Sequence, residues 1–598
     1  MKLYKISLAL MLGIGTLTSC SDKLELANPN EPSTGTFGNS VGDLEEAVIA
    51  CYHHMRMEGT YARVGYTIDA VRAEDMWNPQ NAWYLEADHW NVTPTNEAMD
   101  QWIYRDWYFV INISNYVITK CEENYETLTD ALKKIKGQAL FARGLAYYNL
   151  ACYYQNPPLI LNYNDYSNEA GLHPANKEEG DENEFAQFDR VMDQVEADLS
   201  EAMTLLPTRD AGGEWAKGRA TSGAAAGIYA RALMQRHKYS EALSVLKDIL
   251  NSAEGGNQKY GTYKLMDNYG DNFQEGSYEN NAESLFEIQY LDAGSQGSVD
   301  EWTQVNISKD ASQGNALEAN CGPISKGGWG DLAAAPWLYN LFKEERTTDL
   351  PSSLDPRLYW TICSYEQEWE GYANGNVCYG EPMTEDDPVM MRPDEGGLPI
   401  AKHTNLRTNL YTSVVQNLRC GINIRIMRYS DVLLRAAECE NEVNGPTAQA
   451  IEWINVVRRR AHLKDLALAD FNNADKLFEQ IANVERPKEF GCEYGRGFDL
   501  LRWGFFYNQG RLQQMKEHSV YILSKDPARL KENVQYGGTG VLSSFDFYNP
   551  GHEFLPIFQT ALNDNPNLVG NSANYSKDNS YYFSKNGWTV HPVVDLSK

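Results

Sequence analysis

From Val41 onward, apolar side chains recur at three- and four-residue spacing. Val41, Leu44, Val48, Ile49 and Tyr52 fall on one helical face. Residues 97–124 predict a second helix and 129–155 a third. The third contains Gln138-Ala139-Leu140-Phe141-Ala142-Arg143-Gly144-Leu145-Ala146-Tyr147-Tyr148, where small residues among aromatics suit close packing. It stops at Asn156-Pro157-Pro158, because proline has no amide hydrogen and disfavours helix in the residue before it. A fourth predicted helix runs from Glu184 to Leu206. Phe185, Phe188, Met192, Val195, Leu199 and Met203 lie on one face, and Pro207 follows the end.

Two helical hairpins come next. Tyr229 and Ala232 sit on the first helix of one. After Arg236-His237-Lys238, Tyr239, Ala242, Leu246 and Ile249 sit on its second. The other hairpin is far downstream: Val432-Leu433-Leu434-Arg435-Ala436-Ala437-Glu438, a turn at Asn444-Gly445-Pro446, then Ala450, Ile451, Ile454 and Val457. Small residues at the crossing and aromatics near the turn are tetratricopeptide-like spacing. Such units bury their apolar faces by stacking on neighbours. The predicted fold is therefore mainly α, a tetratricopeptide-like helix-pair array. Between the hairpins the chain turns rich in Gly, Asn, Asp, Tyr and Pro, with two strand-like stretches, Leu285–Tyr290 and Ile422–Ile426. That stretch is too long for one loop. It reads as an irregular, loop-rich insertion mounted on the helices, where binding residues commonly sit.

The N-terminus sets the expected compartment. Met1-Lys2-Leu3-Tyr4-Lys5 is basic, and Ile6 to Thr18 is an uncharged apolar run too short to span a bilayer. Leu17-Thr18-Ser19-Cys20 reads as a lipobox, so Cys20 is the expected lipidation site. Ser21-Asp22-Lys23-Leu24-Glu25 resembles the acidic surface-export signal of some Gram-negative lipoproteins. The division expected along the chain is a lipoprotein signal peptide at 1–19 and a surface tether at 20–42. An N-terminal helical region at 43–250 precedes an irregular ligand-binding region at 251–424. A C-terminal helical scaffold at 425–520 leads into a loop-rich part at 521–598.

The 598 residues carry a net charge of −30, which argues against nucleic acid and anionic headgroups as partners. It also favours a neutral or weakly charged ligand. Cys51, Cys121, Cys152, Cys321, Cys363, Cys378, Cys420, Cys439 and Cys492 are scattered without a Cys-x-x-Cys pair, so most are expected as buried thiols. No nucleophile elbow or phosphate loop occurs, and the zincin-like start at His552-Glu553 fails because Pro556 stands where the second His belongs. The run from Glu485 to Arg502 sets Glu489, Glu493, Arg496, Asp499 and Arg502 at helical spacing, which predicts a salt-bridge network locking helix to core. No catalytic residue, metal ligand or cofactor is expected, with a structural Ca2+ left open.

Aromatics carry the functional signal: they make up 12% of the chain, led by 37 Tyr and 14 Trp. Sugars present C–H faces that stack on rings and hydroxyls that pair with amides and carboxylates. Trp77-Asn78-Pro79-Gln80-Asn81-Ala82-Trp83-Tyr84 supplies both, and Lys326-Gly327-Gly328-Trp329-Gly330-Asp331 sets a Trp among glycines. The candidate ligand-binding residues are Trp77, Asn81, Trp83, Tyr84 and Trp329. The competing reading of each ring is buried packing.

The order and spacing of several blocks resemble the SusD/RagB family over most of the chain. They are the lipobox, the helix Gly137–Tyr147, the run Ile426–Glu438 followed by Ile454-Asn455-Val456-Val457-Arg458, the block Glu485–Gly504, Phe554-Leu555-Pro556-Ile557, and Asn563–Leu568. Arg143-Gly144 departs from the usual Arg-Ala. The resemblance implies four tetratricopeptide-like helix pairs and a ligand site in the irregular region, with stacking aromatics near the two clusters above. It also implies an outer-membrane lipoprotein facing the cell surface that captures a glycan and caps a TonB-dependent, SusC-like transporter. Rival readings are a peptide binder, a surface glycosidase and an adhesin.

Overall fold

The computed structural model describes residues 37–78, 81–96, 102–167, 169–292, 313–349, 353–366, 376–384, 398–408, 410–415, 419–522, 541–570 and 578–597. Helices hand contact from one to the next. Val41–Met55 packs on Tyr104–Asn124, which packs on Asp130–Tyr154, then Phe185–Leu205, Ser222–Gln235 and Tyr239–Ala253. Tyr239–Ala253 rests in turn on Tyr429–Asn444, the first helix of the downstream hairpin, whose second is Ala448–Arg460. The protein is a mainly helical, tetratricopeptide-like array. The irregular stretch is spliced into it between two adjacent helices.

Local chemistry fixes the central pair. Thr129 caps the Asp130–Tyr154 helix by accepting from the Leu132 amide, and Gln155 ends it with φ of 64°. A Cβ at Gly144 would stand 2.9 Å from Leu199 Cγ, so glycine lets the Phe185–Leu205 helix close on this one. One residue away, buried Arg143 donates to both oxygens of Asp198 at 2.8 and 2.7 Å and to Asn115 at 2.9 Å. The Gly and the Arg thus act together: close approach on one side, a satisfied charge pair beside it.

The two strand-like stretches find each other. Ser284–Ile288 pairs antiparallel with Ile424–Arg428, so the entrance and exit of the irregular region are zipped into one two-stranded ladder. Both strands are buried throughout. Met427 packs over Gly227 of the Ser222–Gln235 helix, where an added Cβ would meet its sulfur at 2.4 Å. The ladder thereby ties the irregular region to the array.

The acidic-basic block is structural, and it is not one helix. Arg486–Phe490 and Arg496–Arg502 are separate, joined through Gly491–Gly495. Their charges meet partners from other elements. Arg428 bridges Glu283, Glu489 and Glu493 at 2.6, 2.9 and 2.8 Å, and Arg486 bridges Asp431 and Asp499 at 2.8 and 2.6 Å. Lys402, from the irregular region, reaches Glu493 at 2.8 Å. Each charge is buried but neutralised by several hydrogen bonds, as a buried ion must be.

Candidate functional site

The site grows from a strand pair two residues long. Met76 faces Ala334 and Trp77 faces Ala333, with the Ala335 amide donating to the Asp75 carbonyl at 2.8 Å. This bond brings the first aromatic cluster, from the N-terminal helical region, beside the second, from the irregular region. The Asn78 side chain then closes the following turn. Its Oδ1 accepts from the Asn81 amide at 2.9 Å and its Nδ2 donates to the Asn81 carbonyl at 2.7 Å. Asn81 in turn caps the helix Ala82–Asp88, accepting from the Trp83 amide at 2.9 Å. The switch from strand to capped helix decides which rings face in.

Trp77 is only 4% exposed and Tyr84 is fully enclosed, so both rings pack the wall beneath the site. Trp83 is half-buried, and so is Trp329. Gly327 and Gly330 take φ of 94° and 66°, a left-handed backbone on either side that only glycine adopts cheaply, and the Trp329 amide donates to the Ala319 carbonyl at 2.6 Å. Those constraints hold the Trp329 ring at the edge of the fold.

The two half-buried indoles share one cation. The Arg63 guanidinium lies 5.8 Å from the Trp83 ring centre, 5.7 Å from that of Trp329 and 5.2 Å from that of Trp102. Trp83 and Trp102 meet edge to face at 5.6 Å. Arg63 is ion-paired to Glu58 and interacts with Asp331. Burial lifts the Asp331 carboxyl to about 6, against the Asn81 side-chain bond and the Arg63 charge, which both lower it. The structure thus brings Asn81, Trp83 and Trp329 together and sets Trp77 and Tyr84 behind them. Sequence reasoning missed Arg63 and Trp102. Trp102 sits in a helical run that reads as core, and no local pattern singles out Arg63.

Among the described residues, no group of three or more His, Cys, Asp or Glu is placed to hold a metal ion. None of their helices is long and apolar enough to cross a membrane. Cys20, Pro79 and Gln80 lie outside the described residues.

A family model described as "SusD family" matches residues 282–575, and one described as "Starch-binding associating with outer membrane" matches 24–234. The chain belongs to the SusD/RagB family. Both halves of the candidate site fall inside those matches, Trp83 in the N-terminal one and Trp329 in the C-terminal one. A SusD-like protein of Formosa agariphila is 24% identical over 84% of this chain and 90% of its own length. The fold agrees with a SusD superfamily protein from Bacteroides vulgatus, with a TM-score of 0.67 at 24% identity over 90% of this chain and 99% of that one. It agrees also with a surface glycan-binding protein from Bacteroides thetaiotaomicron solved with laminarihexaose, with a TM-score of 0.62 at 20% identity over 89% and 99%.

Proposed function

We propose that this SusD/RagB protein is a lipid-anchored outer-membrane protein of the cell surface. It binds an oligosaccharide or polysaccharide and delivers it to a TonB-dependent, SusC-like transporter. The observation that carries the reading is the meeting of Trp83 and Trp329, half-buried, around Arg63. Their exposed portions offer aromatic surface to the C–H faces of a sugar. Asn81, half-buried beside those rings, supplies an amide for hydroxyls, with the buried Asp331 carboxyl bonded behind it. The laminarihexaose complex of a structural relative supports a glycan as the ligand class.

Binding without cleavage fits the local chemistry. Of the carboxylates beside the rings, Glu58 is held by Arg63, and Asp331 by Asn81 and Arg63. Both are buried, whereas glycoside hydrolysis uses two carboxyls that flank the bound sugar. The test is calorimetry of the whole chain against laminarihexaose, maltohexaose, xylohexaose and a mixture of short peptides, with chromatography of each mixture after prolonged incubation. Saturable binding of at least one with no shortened product supports the proposal. Product formation assigns the protein to the glycosidases, and binding of peptides alone overturns the glycan reading.

A further inference from the structure

Beneath Trp329 lies a second, smaller apolar cluster. Ala319, Cys363, Cys378, Tyr379, Met383, Ala401, Leu406 and Val414 form it, with Trp329, Tyr365 and Tyr411 packed against it. The two cysteine side chains in it are fully buried, belong to the same cluster and interact electrostatically with each other. Cys363 Sγ is also 3.8 Å from Met383 Sδ.

The backbone positions them independently of the sulfurs. One guanidinium, Arg407, donates to the Ile362 carbonyl at 3.4 Å and to the Val377 carbonyl at 2.8 Å. Those are the residues immediately before the two cysteines. Arg407 also donates to Tyr359 at 3.1 Å. The Cys363 amide is fixed to the Pro399 carbonyl at 2.8 Å, and Tyr379, next to Cys378, donates to the Leu406 carbonyl at 2.9 Å. Cys378 sits in the short ladder Val377–Cys378 with Glu381–Pro382. The two backbones are thus clamped together from outside, and both side chains point into the same small core. A disulfide needs its Cα atoms roughly 4.4–6.8 Å apart and its sulfurs about 2.05 Å apart. The clamped backbones carry both thiols into the one cluster where such a bond can form.

We propose that Cys363 and Cys378 are joined by a disulfide in the exported protein. The proposal rests on export across the inner membrane, as in the function proposed above, because disulfides persist in oxidising compartments. The oxidant is a protein disulfide of the envelope. One cysteine, as thiolate, attacks that disulfide and forms a mixed disulfide. The second thiolate then displaces the donor sulfur. The new S–S bond leaves two electrons and two protons on the donor, which ends as a dithiol. The neighbouring Cys363 thiol, and then burial, push the Cys378 thiol up, so the exchange belongs to folding, before the cluster closes. The bond would brace the wall on which Trp329 rests.

The test uses the mature chain exported behind a cleavable secretion signal, with leader removal checked by intact mass, so that failure of export is seen separately from failure of the bond. The protein is alkylated in denaturant, before and after reduction, and its peptides are mapped. Two fewer alkylated cysteines before reduction, with a Cys363–Cys378 linked peptide that splits on reduction, is the expected result. The corresponding phosphine oxide, which cannot reduce a disulfide, should lower nothing, whereas tris(2-carboxyethyl)phosphine should lower Tm of the wild type by a few degrees and leave the double variant Cys363→Ala, Cys378→Ala unmoved. Full alkylation of all cysteines in the leader-free protein, or a linked peptide joining other cysteines, overturns the proposal. An equal reductant effect on the double variant does so as well.

Discussion

Arg63 holds its guanidinium 5.7 Å from the ring centre of Trp329, a residue delivered to it by the two-residue strand pair at Trp77 and Ala333. A cation over an indole fixes the ring's position by attraction to its electron-rich face. The same cation lies 5.8 Å from Trp83, so the two candidate platforms are oriented by one group.

Trp83→Ala and Trp329→Ala are each expected to weaken glycan binding by about 1–3 kcal/mol, by analogy with stacking of bases on aromatic side chains. At roughly tenfold per 1.4 kcal/mol, a weak ligand then falls out of measurable range. Both rings are half-buried, so melting temperature should move little. Calorimetry and a melting curve on each variant separate the effects. Unchanged affinity in both variants with unchanged Tm would move the site elsewhere.

Trp77→Ala should behave in the opposite way. Its ring is 4% exposed and its backbone pairs with Ala333. Emptying a buried tryptophan site costs about 3–5 kcal/mol of stability. Urea unfolding should show that loss before any specific effect on binding appears. A stable Trp77→Ala protein with abolished binding would return this residue to the contact surface.

What was legible in the sequence follows from the range of the interactions involved. The helices Phe185–Leu205 and Tyr239–Ala253 and the hairpin around Gly445 follow from three- and four-residue periodicity and end signals, all local. The strand readings at 285–290 and 422–426 land within two residues of Ser284–Ile288 and Ile424–Arg428, yet their mutual pairing was not readable. The block Glu485–Arg502 showed its charges but not Arg428 or Lys402, which arrive from other elements. At the candidate site, the octapeptide from Trp77 to Tyr84 announced aromatic chemistry. Which ring turns outward depends on the cap at Asn81 and the pairing with Ala333, the second of which is a tertiary event.

Arg143→Ala should be among the most damaging single substitutions in the helical array. It removes two hydrogen bonds to Asp198 and one to Asn115, leaving a buried carboxylate without its cation. Breaking a buried pair in this way costs about 3–5 kcal/mol. Arg143→Met with Asp198→Leu removes both charges and should recover much of that loss. Denaturant unfolding of the three proteins checks this, and a double variant no better than Arg143→Ala would place the cost in packing instead.

Burial lifts the Asp88 carboxyl from its ordinary 3.8 to about 8, although the Asn78 amide donates to it at 3.2 Å and lowers it. Its nearest basic neighbour is His89 at 3.8 Å, itself held down by burial. The folded state therefore keeps a proton that the unfolded chain has already lost. This group's contribution to stability is fully present below about pH 4 and declines as pH rises toward about 8. Asp88→Asn, which mimics the protonated acid, should gain stability relative to wild type across that window. Unfolding free energies at pH 4.5, 6, 7.5 and 9 test it, and a constant difference between the two proteins would contradict the assignment.

Cys20→Ala tests the anchor. Cys20 follows the apolar run directly and ends the sequence Leu17-Thr18-Ser19-Cys20, the position that acylation requires. The acyl chains on Cys20 are the proposed hold on the bilayer. A transporter could retain the protein by contact, so the experiment belongs in a host without a TonB-dependent partner. There the wild type should fractionate with membranes and incorporate labelled palmitate. The variant should incorporate no label and appear in the soluble fraction with an unchanged melting curve. Membrane retention of unlabelled, folded Cys20→Ala protein would show that some other part of the chain binds the bilayer.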